Sequence, residues 1–251
     1  MLRPDPDFFI PGVHAVKEAL LGGAGIKQLW VAEGKTNERL AEILQLAAER
    51  RVTVVFKAQT EFERLFPDLA HQGVAALAEP FAYSELSFLI KQAQKKTDAG
   101  LLLAADHITD EGNLGALIRT AASFGVQGLI LPRDRSAQVS VKVLKRSSGA
   151  HLFLPIAQVV NLGRALDELN QKGFWIIGAA GESSDSIYEF DWRRNLVLVL
   201  GSEDKGLKPL IREHCHQLVG IPVQGFRGSL NVSVAGGVIL SEILRQRSYK
   251  K

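Results

Sequence analysis

Leu196-Val197-Leu198-Val199-Leu200-Gly201-Ser202-Glu203-Asp204-Lys205-Gly206-Leu207 is the stretch that decides the fold. Five consecutive branched apolar residues closed by a glycine read as a strand buried on both faces, the kind found inside a parallel sheet. Gly201 then opens a tight turn carrying Ser202, Glu203 and Gly206. Downstream, 218–222 is a second short apolar piece, and a loop with Gly225, Gly228, Ser229 and Asn231 follows it. The helix expected next bears Ala235, Gly236 and Gly237, a face of almost no side-chain bulk. Two glycine-rich loops at the ends of adjacent strands describe a pocket of backbone amides and carbonyls. Such a pocket suits a flat polar ligand held against the main chain.

Moving upstream, the alternation of strand and helix recurs. LLLAA at 101–105 is a buried strand that delivers Asp106 and His107 to its C-terminal end. The loop ITDEGNLG follows, with Asn113 as N-cap of a helix running to Phe124 and Gly125 as its C′ residue. Further strands are expected at 127–131, 153–156 and 174–179, helices at 140–147 and 162–171, and a solvent-facing excursion at 185–188. The repeat gives a parallel α/β sheet with helices on both faces. Residues 1–80 alternate separately. A helix at 12–21 turns Val13, Val16, Leu20 and Leu21 inward, and one at 37–50 turns in Leu40, Ile43, Leu44 and Ala47. With strands at 26–32, 52–56 and 73–78 and a short helix at 60–65, they form a small α/β sandwich. Residues 81–99, a helix from about Tyr83 to Ala93 and then QKKTD, link it to a larger domain at 100–251.

Composition narrows the function classes. A chain of 251 residues can hold two cores, and its 46% apolar and 23% charged content is that of an ordinary globular protein. The single Cys215 excludes disulfides within the chain and fits a reducing cytosol. It lies between His214 and His216, where surface histidines beside a buried small thiol are expected rather than a metal site. The opening MLRPDPDFFIPG is no signal peptide, no apolar run is long enough for a membrane span, and a cytoplasmic protein is expected. Net charge is only +3, but it is unevenly spread: 9 Lys/Arg against 10 Asp/Glu in 1–78, and 18 against 14 in 101–251. A nucleic-acid surface would belong to the larger part or to a local patch. GSEDKG is not a dinucleotide fingerprint, and the chain has no P-loop and no GxSxG elbow.

Three stretches together resemble a known family. Asn113-Leu114-Gly115-Ala116-Leu117-Ile118-Arg119-Thr120-Ala121 with Phe124-Gly125 is similar to motif 1 of the SpoU/TrmH RNA ribose 2′-O-methyltransferases. The segment 198–207 is similar to motif 2, and Ile221-Pro222 with Ser229-Leu230-Asn231-Val232-Ser233-Val234-Ala235 to motif 3. GVHAVKEAL through HQGVAALAEP resembles the L30e-like RNA-binding domain that precedes the catalytic domain in the branch acting on a guanosine of bacterial 23S rRNA. The resemblance implies a SPOUT sheet with a trefoil knot, S-adenosylmethionine held in it, and a homodimer through the C-terminal domain. Neither composition nor periodicity shows the knot. A ribose methyltransferase acting on tRNA and a non-catalytic RNA- or ribosome-binding relative are the competing readings.

Methyl transfer from a sulfonium requires the ribose oxygen to be aimed and its proton loss to be made easier. The resemblance gives Arg119 that task. A guanidinium has a pKa above about 12 and is a poor free base, so it grips a phosphate and stabilises alkoxide, against the alternative of a surface arginine paired with an acid. Asn113 caps its helix and also orients Arg119 or the ribose. Glu203 holds an arginine or amide in place, or is a loop acid facing water. Ser229 and Asn231 cap the last helix or touch substrate. Leu200, Gly201, Gly206, Ile221, Pro222, Ser229 and Leu230 form the cofactor pocket, the glycines by backbone approach. For RNA, Arg133, Arg135, Lys142, Lys145 and Arg146 lie within fourteen residues with one acid. His14, Lys17 and Arg39 are the corresponding candidates in the first domain, where contact would read shape.

Overall fold

The computed structural model describes residues 9–21, 25–35, 37–66, 71–96, 99–202, 205–225 and 229–248. In chain order its first elements are β1 (Phe9–Pro11), α1 (Val13–Leu21), β2 (Ile26–Ala32), α2 (Glu38–Glu49), β3 (Thr53–Lys57), α3 (Gln59–Leu65) and β4 (Val74–Ala78). Then come α4 (Leu86–Gln94), β5 (Leu101–Asp106), α5 (Glu111–Ser123), β6 (Gly128–Pro132), α6 (Val141–Ser147) and β7 (Ile156–Val159). The last are α7 (Leu162–Gln171), β8 (Trp175–Ala179), β9 (Leu196–Gly201), α8 (Pro209–Glu213), β10 (Gln217–Val219) and α9 (Val232–Ser248). They group into two compact units.

The first unit holds the chain up to Ala82 together with Val139–Gly149. Its sheet runs β1-β4-β2-β3, with β2 and β3 parallel and β4 antiparallel to both of its neighbours. Side chains of β2 alternate across it: Leu29 and Val31 join Val16, Leu20 and Ile43 under the helices, while Trp30 and Ala32 join Phe9, Phe62 and Phe66 on the other face. Two sequence expectations need correction here. Leu21 is 58% exposed rather than inward, because it closes the last turn of α1. Helix α6, expected to belong to the second domain, groups with the first: Val141 packs on the core of Val16 and Leu20, and Lys145 pairs with Glu18 at 3.6 Å.

The second unit is an all-parallel sheet ordered β10-β8-β9-β5-β6-β7. Its central strands β5 and β9 are apolar and buried on both faces, as the sequence run requires. From β5 the chain winds to β6 and β7 on one side, then crosses to β8 and returns through β9. Order therefore reverses between β5 and β9, and a crevice forms at the carboxyl ends of strands around such a reversal. The glycine face of α9 packs within the chain: a Cβ on Gly236 would lie 2.9 Å from Leu117 Cδ1 and 3.0 Å from Leu200 Cδ1. The strand expected at 153–156 lies instead at Ile156–Val159, after a 3-10 turn at Ala150–Leu152 that leaves Phe153 80% exposed. The excursion at 185–188 is not wholly solvent-facing. Ile187 is fully buried, and the buried Trp192 donates its indole N–H to the Ile187 carbonyl at 2.7 Å.

Candidate active site

The carboxyl ends of β5 and β9 meet with Asp106 in register with Gly201. Only glycine fits at 201, since a Cβ there would lie 2.1 Å from the Gly206 carbonyl carbon and 2.3 Å from the Leu207 nitrogen. Ser202 and Gly206 close the loop by exchanging backbone hydrogen bonds of 3.1 and 2.9 Å. Gly206 takes φ +62 with open space where a Cβ would stand, so the main chain presents a bare face there. The exit of the loop is tied down by Asp106, a fully buried carboxylate whose Oδ2 accepts the Lys208 N–H at 2.7 Å. Its Oδ1 engages Nδ1 of His107. Glu203 lies outside the described residues.

Beyond β10 the chain passes close to the preceding segment. A Cβ on Gly220 would lie 2.8 Å from the Ser183 carbonyl oxygen and 3.1 Å from that of Ala180. Of the expected pocket residues, Leu200 is buried, Ile221 half-buried, and Pro222, Ser229 and Leu230 exposed. A backbone cradle with apolar flanks fits S-adenosylmethionine, whose adenine and sulfonium ask for close main-chain approach rather than a charged clamp.

Asp110, not Asn113, caps α5: its carboxylate accepts the Asn113 N–H at 2.7 Å. Asn113 sits in the first turn instead, and its Oδ1 accepts a hydrogen bond from Asn231 Nδ2 at 2.8 Å. Asn231 in turn caps α9, its Oδ1 accepting from Ser233 N at 3.0 Å and Ser233 Oγ at 2.7 Å. Motifs 1 and 3 are thus joined by two amides whose orientations the capping pattern fixes. Arg119 is six residues beyond Asn113 on the same helix, which puts it about 120° around the axis. Its side chain is exposed and, among the described residues, makes no ion pair or hydrogen bond. No acid there competes for it.

The basic run divides. Arg133 and Arg135 occupy the loop after β6, which is stitched to the segment entering α5 by Ala137 N–H and Ser136 Oγ, both donating to the Ile108 carbonyl at 2.8 and 3.2 Å. Lys142, Lys145 and Arg146 stand on α6 in the other unit, so one continuous patch does not follow from their closeness in sequence. In that unit Lys17 is engaged by Glu42 at 2.5 Å, while His14 and Arg39 are exposed. His214 turns to Asp167 at 2.7 Å and His216 accepts the Ile176 N–H at 3.0 Å, so these two diverge. Among the described residues no group of His, Cys, Asp and Glu is arranged to hold a metal ion. No described helix is long and apolar enough to cross a membrane.

Residues 100–241 match the SpoU rRNA methylase family, and residues 9–84 match the RNA 2′-O ribose methyltransferase substrate-binding domain. The chain is 43% identical over 239 residues to the 23S rRNA (guanosine-2′-O-)-methyltransferase RlmB of Pseudomonas aeruginosa, covering 94% of this chain and 96% of that protein. It is 32% identical over 240 residues to the putative TrmH family tRNA/rRNA methyltransferase YacO of Bacillus subtilis, covering 96% of each. Among solved structures, the SpoU methyltransferase AviRb from Streptomyces viridochromogenes, in complex with the cofactor AdoMet, superposes with a TM-score of 0.73. That likeness has 25% identity and covers 96% of this chain and 90% of that one.

Proposed function

The chain belongs to the SpoU rRNA methylase family, and from that premise we propose that it transfers a methyl group from S-adenosylmethionine to a ribose 2′-OH of RNA, at a guanosine of 23S rRNA. The observation that carries the reading is the Asn113–Asn231 hydrogen bond, which joins two motif segments in the unit that also holds the Gly201–Gly206 loop. When bound, the cofactor supplies an electrophilic methyl. Gly201 and Gly206 would hold it by backbone approach, Ile221 and Leu230 would offer apolar surface to its adenine, and Leu200 and Pro222 would flank that pocket. Asn113 and Asn231 fix each other and orient the substrate ribose, Ser229 and Glu203 serve beside them, and Arg119 steadies the phosphate and the charge developing on O2′.

The first unit binds the RNA, through local contacts by His14, Lys17 and Arg39 and by Lys142, Lys145 and Arg146 of α6. Arg133 and Arg135 contribute from the catalytic unit. A homodimer through the C-terminal domain belongs to the same reading, supported by the exposed apolar residues Val223, Leu230 and Val234 near the start of α9. The threaded, knotted C-terminal segment is supported by the tight passages at Gly201 and Gly220. Incubating the protein with methyl-labelled cofactor and either 23S rRNA or total tRNA, then mapping ribose methylation, tests the proposal. Label in a 23S rRNA guanosine is expected. Label in tRNA alone would transfer the function to the other substrate class, and none in either would end it.

A further inference from the structure

A cradle made of main chain cannot reach for its ligand, so its affinity depends on how firmly its two walls are held in place. We infer that Arg212 and Glu182 set the separation of those walls as positioning residues for S-adenosylmethionine, a role that rests on the function proposed above. One wall is the glycine loop after β9, and the other is the passage through Gly220 into Ile221 and Pro222. Arg212, on α8, donates Nε to the Leu207 carbonyl at 3.3 Å and Nη2 to Oε1 of Glu182. Leu207 closes the glycine loop, its nitrogen lying 2.3 Å from where a Cβ of Gly201 would stand. Glu182 follows β8, one residue before Ser183, whose carbonyl oxygen lies 2.8 Å from a Cβ built on Gly220. One guanidinium thus spans from the exit of the glycine loop to the segment that flanks the other wall.

Each end of this bridge is anchored independently. Beside Leu207, the Lys208 N–H is held by the Asp106 carboxylate at 2.7 Å. On the other side Ser183 Oγ donates to the Leu218 carbonyl at 2.9 Å, and the Ala180 N–H to that of Val219 at 2.9 Å, which ties the segment to β10. The two anchorages belong to different strands, and the Arg212 fork joins them. A guanidinium suits the task because its donors point in fixed directions, here to a carbonyl and a carboxylate at once. The hydrogen bond from Arg212 holds the Glu182 carboxyl below the usual carboxylate range, so the pair is charged at neutral pH. Glu182 is exposed, and an exposed ion pair adds little to global stability. Its placement across the crevice is the larger consequence.

Calorimetric titration with S-adenosylmethionine tests the role on Arg212→Gln, Glu182→Gln and the double variant. Each single variant is expected to bind about fivefold more weakly, and the double variant no more weakly than the weaker single one. Urea midpoints are expected to stay near that of the wild type, and in turnover the loss should fall on KM for the cofactor rather than on kcat. Arg212→Lys keeps the charge but cannot engage the carbonyl and the carboxylate together, so it is expected to restore little. Wild-type affinity in the single variants or in Arg212→Lys, losses that add in the double variant, or a loss matched by a falling urea midpoint would each overturn the role while leaving the proposed function intact. A wild type that binds no S-adenosylmethionine removes both.

Discussion

Asn231 donates its side-chain N–H to the Oδ1 of Asn113 across 2.8 Å, fastening the start of α9 to the first turn of α5. The same Asn231 spends its carbonyl oxygen on the N-cap of α9, so one side chain sets a helix terminus and a link between motifs. Loss of such a cap costs about 1 kcal/mol, and contacting residues couple by about 0.5–3 kcal/mol. Asn113→Ala, Asn231→Ala and the double variant are therefore expected to be non-additive in both denaturant stability and turnover. Single variants should lose more activity than their stability loss explains. Strict additivity of the two effects would mean the contact contributes nothing to the site.

Gly201 and Gly206 differ in what a methyl group would meet. At 201 it collides with backbone at 2.1 Å, whereas at 206 it finds open space but a backbone at φ +62. Gly201→Ala is expected to destabilise by several kcal/mol, as overpacking against immovable main chain does, and to abolish cofactor binding. Gly206→Ala is expected to cost about 1–2 kcal/mol from the left-handed backbone, with cofactor affinity reduced rather than lost. Urea unfolding beside calorimetric titration separates the two. Equal tolerance of both substitutions would contradict the assigned packing.

Periodicity made most of this architecture legible, because a strand buried on both faces announces itself as an apolar run and α7 as an amphipathic stripe. Helix α7 has the expected bounds, and β9 is the opening run itself. What escaped depends on distant partners. Strand β1 is three residues ending in a proline and exists by pairing with β4. Helix α6 follows the second unit in sequence but is drawn to the first by Val141. The cap of α5 was misplaced because Asp110 and Asn113 are both good capping residues three apart, and the carboxylate took the outer position. Asp106 and His107 were legible as the end of a strand, but neither the left-handed backbone of His107 nor the contact of Asp106 with Lys208 leaves a mark on the chain.

Cys215 offers a check on the packing beneath α8. Burial pushes its thiol from 9.0 up to about 11, and the nearby Asp106 carboxylate adds to the effect. At pH 8 the thiolate fraction is then about a hundredfold below that of an unperturbed thiol, and alkylation should slow in proportion. The sign for stability follows: the folded state holds this proton more tightly than the unfolded chain. Stability is thus drained as pH rises from about 9 toward 11 and is insensitive to Cys215 below that window. Iodoacetamide labelling at pH 8, native and in urea, checks it. Fast labelling of the native protein would show the thiol to be accessible and ordinary.

Arg119→Ala separates chemistry from folding. The side chain is exposed, sits in the interior of α5 and, among the described residues, has no acid to lose, so alanine should cost little stability and even favour the helix. If the guanidinium stabilises charge that develops only on the ribose oxygen, its removal falls on the rate of transfer. By comparison with loss of an oxyanion donor, the expected drop is about a hundredfold or more, roughly 3 kcal/mol of barrier. Cofactor affinity and melting temperature should remain those of the wild type. Arg119→Lys keeps the charge but not the planar fork, and should rescue poorly if phosphate and ribose are gripped together. Single-turnover methylation at saturating RNA and cofactor is the measurement. An alanine variant with wild-type turnover would take Arg119 out of the mechanism. One that is slow only because it melts would make it a structural residue after all.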